Sequence, residues 1–220
     1  MKILVACEES QAVTIELRLG GHEAYSCDIE PESGGRPEWH IQDDVLPLLN
    51  GNCEFKTVDG EIHKVDDRWD MIIAFPPCTY LSNAGACRLY PRKGVLNEER
   101  YQKGLEGKEF FMKFLNADCE KIAVENPVSS RVFEMPQCSQ EIQPYQFGHP
   151  FTKKTRLWLK GLPRLLPTNE VEPQTTYLPS STSRKITERY GRATRTGKDA
   201  KIRSKTFSGI AKAMSEQWAK

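Results

Sequence analysis

The chain has 220 residues, a net charge of +1 and seven cysteines. That length suits one domain, with a core large enough to fold without disulfide or metal staples. With no apolar run of membrane-spanning length and no charged-then-apolar leader, we expect a soluble, cytoplasmic protein. The cysteines are odd in number and include no C-x-x-C pair, which argues against a disulfide framework and against a zinc cluster. The small net charge hides an asymmetry: Pro163 to Lys220 carries 12 Lys/Arg against 5 Asp/Glu, a balance of +7, and the preceding 162 residues carry −6.

Met1–Cys7 is an apolar run that predicts a first buried strand. Glu8-Glu9-Ser10-Gln11 reads as a turn, with Ser10 or Glu9 placed to cap a helix over 12–19. Val13, Ile15, Leu17 and Leu19 are its apolar positions, and Gly20-Gly21 ends it. His22–Ile29 predicts a second strand, ending in Asp28 with Glu30 close behind. A strand–turn–helix–strand unit with an acid about twenty residues past the turn is the layout of a nucleotide-binding βαβ half, where the acid takes ribose hydroxyls. The plainer role for Asp28 is a strand-end turn residue, and the turn lacks the glycines of such fingerprints. Trp39–Val45 reads as a short strand ending in Asp43-Asp44, and 46–64 as a loop or hairpin insertion.

Met71–Phe75 is a short apolar run stopped by Pro76-Pro77, with Cys78 just past the stop. Such a run reads as a buried parallel strand, and ligands of open α/β sheets bind beyond the carboxyl ends of the strands. The prolines stiffen the loop. Stiffness suits a nucleophile, because misplacement by about 1 Å costs about a hundredfold in rate. The alternative is a small buried cysteine after a strand. Beyond Gly85, the residues Arg88, Tyr90, Arg92, Lys93, Arg100 and Lys103 surround Gly94. They make either a cover for a nucleic-acid backbone or an ordinary solvated loop.

Leu105–Ala117 predicts a helix with Phe110, Phe111, Phe114 and Leu115 on one side. Lys121–Val124 predicts a strand that stops at Glu125-Asn126-Pro127, the same grammar as the Cys78 strand. Two neighbouring parallel strands would bring Cys78 and Glu125 to one edge. Ile142–Phe147 and Thr155–Leu159 read as two more strands, with Arg156 starting the second and Lys154 two residues earlier on the same face. Residues 163–203, rich in Pro, Thr, Ser and Arg, read as a long loop or arm. Residues 204–218 read as a closing helix with Ile210, Met214 and Trp218 on one face. The alternation predicts an α/β fold, a mainly parallel sheet flanked by helices. It divides into a core over 1–162, a basic arm over 163–203 and a C-terminal helix over 204–220 packed on the core.

This constellation resembles the AdoMet-dependent DNA cytosine-5 methyltransferases, in a compact form like those carried by phages. Pro77-Cys78-Thr79 is similar to the family's Pro-Cys-Gln loop, and Glu125-Asn126-Pro127 to its Glu-Asn-Val. Residues 152–156 resemble its Gln-x-Arg-x-Arg strand, with Arg156 matching the last arginine and Lys154 the earlier one. Residues 206–211 resemble its closing helix. The resemblance implies a Rossmann-like AdoMet-dependent methyltransferase fold and S-adenosylmethionine as cofactor, with no metal. The cofactor would be held by Cys7, Glu8, Glu9 and Ser10, by Asp28 and Ile29 at the ribose, by Asp44 near the adenine, and by Pro76 and Ser208. It further implies Cys78 as the nucleophile on carbon 6 of cytosine, Glu125 as the acid at N3, and Arg156 with Lys154 around O2. In a duplex the base would be flipped out first. A cysteine here, where Pro-Pro-Tyr would suggest amino-group methylation, points to carbon 5.

Two departures leave the substrate open. Residues 6–11 replace the family's Phe-x-Gly-x-Gly loop, and about forty-five residues stand where a target-recognition domain would lie. Nine Lys/Arg against two acids between Ser180 and Lys205 form a track of charge. Arg189, Arg192 and Arg195 in that track, with Arg88, Arg92 and Lys93, are the residues expected at DNA phosphates. DNA is the expected partner of a monomer or small homo-oligomer in a bacterial or phage-infected cytoplasm. A free cytosine nucleotide such as dCMP would account for the missing domain. A non-catalytic protein that keeps the fold and sequesters a nucleotide or blocks a host factor would account for the altered loop.

Overall fold

The computed structural model describes residues 1–177 and 204–220. Arg189, Arg192 and Arg195, and with them most of the expected basic arm, lie outside the described residues. The first strand, β1 (Lys2–Ala6), pairs in parallel with β2 (Glu23–Asp28) on one side and β6 (Met71–Ala74) on the other. β3 (His40–Gln42) extends the sheet beyond β2. β7 (Ile122–Pro127) lies parallel to β6. β10 (Thr155–Lys160) then runs antiparallel to both β7 and β8 (Gln140–Ile142). The seven-stranded order is β3-β2-β1-β6-β7-β10-β8, with β10 the one reversed strand. This is an α/β, Rossmann-like architecture with a mainly parallel sheet flanked by helices.

Strand periodicity sorts the core into two layers. Ile3, Val5, Met71 and Ile73 face helices α1 (Ala12–Leu19) and α4 (Ser208–Trp218), which contribute Val13, Leu17, Ile210, Met214 and Trp218. Leu4, Ile72, Val124 and Trp158 face the other way, onto Phe111 and Phe114 of α3 (Glu98–Leu115). Such alternation within buried strands is the signature of a sheet covered on both faces. Each fully buried side chain of this size contributes roughly 1.5–3 kcal/mol. The insertion after β3 includes a hairpin, β4 (Cys53–Lys56) with β5 (Ile62–Val65), whose Phe55 stacks on Trp69 at 6.0 Å. A two-residue strand β9 (Phe151–Thr152) pairs with β11 (Thr175–Thr176). No helix among the described residues is long and apolar enough to cross a membrane.

Several elements differ from the sequence expectation, each for a local reason. Helix α3 starts at Glu98, seven residues before the expected Leu105, because the Asn97 side chain accepts from the Arg100 amide at 3.0 Å and caps it. The expected strand over 142–147 is instead β8 plus a 3-10 turn at Pro144–Gln146, where proline cannot donate to a ladder. Glu125-Asn126-Pro127 does not follow a strand but completes β7, held by β10. The closing helix starts at Ser208, later than 204.

Gly209 in the first turn of α4 is a close-approach glycine. A Cβ there would stand 1.9 Å from the Phe147 carbonyl oxygen. Its N–H donates to His149 Nε2 at 3.0 Å, which seats the helix end. Gly209→Ala should therefore lower stability by roughly 1–3 kcal/mol, the range for overpacking, in urea unfolding. An unchanged midpoint would mean the helix start moves freely.

Candidate active site

The strand order changes direction between β1 and β6, and a ligand crevice is expected at such a switch point. A cavity of about 390 Å³ lies there, within the roughly 300–1,000 Å³ of small-molecule sites. Its walls are the turn after β1 (Cys7 to Ser10), the loop after β6 (Phe75, Pro76, Cys78, Thr79), Glu125 and Pro127 of β7, Lys153, and Ser204–Thr206 before α4.

The β1–α1 turn keeps its shape without glycine. Cys7 and Gln11 both take left-handed backbone, at φ 57° and 56°, a conformation uncommon for such residues. Side-chain bonds hold it. The fully buried Gln11 amide donates to the Arg36 carbonyl (2.9 Å), accepts from the Arg36 N–H (3.1 Å) and donates to Ser26 Oγ (3.2 Å). Neither Ser10 nor Glu9 caps α1. Glu8 does, accepting from the Val13 N–H at 2.7 Å, the Thr14 N–H at 3.2 Å and the Thr14 hydroxyl at 2.7 Å. A buried carboxylate on the open amides of a first turn satisfies donors that the helix cannot. Glu9 instead accepts from the Ser33 hydroxyl, and Lys205 Nζ donates to the same hydroxyl at 2.8 Å.

Cys78 is held from several sides. Asn126 Nδ2 donates to the Pro76 carbonyl (3.3 Å), Arg100 Nη2 to the Thr79 carbonyl (2.7 Å) and the Ser82 N–H to the Cys78 carbonyl (2.9 Å). Burial, and after it the charge of Glu125, push the Cys78 thiol up to about 11, while Lys153 pulls it down. The Glu125 carboxyl is also raised, by burial, against the opposing pull of Lys153 and a hydrogen bond with Thr155. Cys78, Glu125 and Lys153 thus form one electrostatically coupled group in one cavity.

The two cations expected here, Arg156 and Lys154, are elsewhere. In the β7–β10 register Arg156 stands opposite Asn126 and Leu157 opposite Glu125, so Arg156 is on the sheet face away from Glu125. Arg156 Nε and Lys154 Nζ both bind Glu141, each at 3.0 Å. Lys153 fills the place, with its Nζ 5.7 Å from the Phe207 ring centre. The signal was the Lys153-Lys154 pair, of which a period-two count from Arg156 selects the wrong member. Cys7, Glu8, Glu9, Ser10 and Pro76 line the cavity, and so do Lys205, Ser204 and Thr206, which the sequence did not single out. Asp28, Ile29, Asp44 and Ser208 lie outside its lining. Asp28 Oδ1 accepts from the Glu30 N–H, Ile29 is 74% exposed, Asp44 caps Leu46, and Ser208 Oγ lies 3.5 Å from His149 Nε2. Burial raises the Cys7 thiol, and the charges of Asp28 and Asp44 add to that, so both acids are within electrostatic reach of Cys7. Arg88 is exposed on α2 (Ala86–Leu89), and Arg92 and Lys93 are exposed between α2 and α3.

The α1 amides already carry Glu8, so among the cavity walls a ligand carboxylate would be met by Lys205 and a ligand ammonium by Glu9.

No family model matches the sequence, and no curated protein does. Among solved structures the chain is similar to an E. coli protein described as a "putative DNA modification methyltransferase encoded within prophage". The identity is 13% and the TM-score 0.44, over 78% of this chain and 52% of that one. The chain thus spans about half the length of that protein, and a likeness at this level lends it no function.

Two pH-dependent outcomes follow from the site. Burial lifts Glu8 from 4.5 to about 7. A raised carboxyl contributes stability that is complete below about pH 4.5 and is lost as pH rises through about 7. Glu8→Gln does not titrate and should flatten the stability–pH curve over that interval; an unchanged slope would place the titration elsewhere. For Cys78, alkylation followed by peptide mass mapping should accelerate with pH up to about 11. It should be faster in Glu125→Gln and slower in Lys153→Met, and the opposite order would break the coupling.

Proposed function

We propose that the protein is a methyltransferase that moves a methyl group from S-adenosylmethionine to carbon 5 of cytosine in DNA. The observation that carries this reading is the meeting of Cys78, Glu125 and Lys153 in one cavity at the strand switch point. Carbon 5 of cytosine is a weak nucleophile, and covalent addition at carbon 6 is what activates it. The Cys78 thiol gives its proton to water as Sγ bonds to carbon 6, and the electron pair of the 5,6 double bond shifts into the ring. Glu125, whose carboxyl burial favours as the neutral acid, gives its proton to N3 and relieves the charge. Lys153 would supply the cation that stabilises the negative charge developing at O2. Protonated Glu125 also stops repelling the Cys78 thiolate, so one proton serves both groups. The bound cofactor would supply an electrophilic methyl sulfonium, held by Glu9, Lys205, Asp28 and Asp44. Loss of the C5 proton and departure of Cys78 Sγ restore the aromatic ring and free the enzyme.

The short connection between β10 and α4 is compatible with little sequence preference, and the basic residues outside the cavity suit phosphate contacts. Incubation with S-adenosylmethionine and an oligonucleotide carrying 5-fluorocytosine should trap a covalent complex, because the fluorine blocks the last step. Cys78→Ser should form none while still binding the cofactor in calorimetry, and Lys153→Met should slow trapping about ten- to a hundredfold, the scale of losing one stabilising donor. Arg156→Met should trap at close to the wild-type rate. Trapping on dCMP alone would move the reading to a nucleotide enzyme. No cofactor heat and no adduct would leave a binding protein that keeps the fold.

A further inference from the structure

Two residues beyond Cys78 the loop carries Tyr80, which is 37% exposed. The Arg100 guanidinium lies 5.0 Å from its ring centre and the Lys103 ammonium 5.7 Å. Residues three apart on a helix share one face, so α3 brings both cations to the ring from the same side. The arrangement is braced. Arg100 Nη2 donates to the carbonyl of Thr79, next to Tyr80, at 2.7 Å, and Lys103 pairs with Glu99 at 2.7 Å. Around it the segment 80–103 carries five Lys/Arg and two Asp/Glu, in a chain whose first 162 residues are acidic overall. Arg88, Arg92 and Lys93 are exposed there, and so is Tyr90, at 41%.

We propose that Tyr80 is a stacking platform for a base next to the one whose ring enters the cavity, and that the substrate is therefore a polynucleotide presenting unpaired or flipped-out nucleotides. The proposal rests on the cytosine reading above and deepens it to a substrate class. An aromatic face backed by cations and ringed by lysine and arginine is the chemistry that takes a base on its flat side and a phosphodiester at its edge. A free nucleotide has one base, and that base is consumed by the cavity at Cys78. A platform outside the cavity needs a second base, joined to the first through the backbone. Bases inside a duplex already have both faces covered, so the neighbour must be unstacked to use the ring. Stacking is indifferent to base identity, which suits recognition without a large target-recognition domain.

The test is a double-mutant cycle. Labelled single-stranded DNA with one cytosine is titrated by anisotropy, with both flanking nucleotides intact or with either one made abasic. Tyr80→Ala should weaken binding of the intact strand about ten- to a hundredfold, and Tyr80→Phe should bind as wild type. One abasic flank should weaken wild type to a similar degree and leave Tyr80→Ala nearly unchanged. Fully additive losses at both flanks, or unaltered binding by Tyr80→Ala, would overturn the platform, as would activity on dCMP without oligonucleotide binding. Covalent trapping on 5-fluorocytosine in the same strand is scored separately. Trapping without coupling removes the platform and keeps the chemistry; coupling without trapping keeps the platform and removes the chemistry.

Discussion

The site depends on the register of β10 against β7. Leu157 stands opposite Glu125 and Arg156 opposite Asn126. Because side chains alternate along a strand, a slip of one residue would exchange every face. The observed register turns Glu125 and Thr155 toward α4 and the cavity, and Asn126 and Arg156 toward the α3 side. Thr155 is buried and its side chain bonds Glu125. Arg156 is held on the far face by Glu141, which also takes Lys154. The pairing therefore decides which of three neighbouring cations meets Cys78 in the cavity, and it selects Lys153. Ridge packing reinforces the choice: Trp158 stacks edge-on to Phe111 of α3 at 4.9 Å, which a slipped register would break.

Three titratable groups in one small cavity do not act independently. Burial raises both Cys78 and Glu125, the charge of Glu125 raises Cys78 further, and Lys153 pulls both down. Removing water from one small cavity thus works against charge on the thiol and on the carboxyl, while one lysine offsets part of that cost at both.

The fold was legible where apolar runs and stop residues coincide. Met1–Cys7, residues 12–19 and Met71–Phe75 each carry a period and a terminator, and each folds as read. The misreadings have one cause: tertiary partners that local sequence does not display. Asn97 extends α3 by about two turns beyond its apolar stripe, and β10 draws Glu125 into a strand that Pro127 was expected to end. Cys78 and Glu125 drew notice through the prolines that follow their apolar runs, and the structure brings both to one cavity wall. Lys153 did not, because it precedes β10 and is aimed by register alone. Lys205 was hidden for a different reason, being distant in sequence from the turn it reaches through Ser33.

The turn after β1 shows how a fold can keep a ligand site while exchanging the means of building it. Glycine loops allow tight left-handed backbone and leave the following helix amides open to an anion. Here Gln11 holds the left-handed residue by clamping Arg36, and Glu8 fills the helix terminus with the chain's own carboxylate. A ligand that carries a carboxylate then meets an anion where glycine-loop folds offer free N–H groups. The countercharge has to come from another element, and Lys205, tied through Ser33 to Glu9, is the cation on this cavity wall nearest that turn in bonding terms. The consequence is a linkage between chain ends. Two adjacent acids at one end set the polarity of the pocket, and a lysine just before the last helix, 172 residues from Ser33, restores its balance.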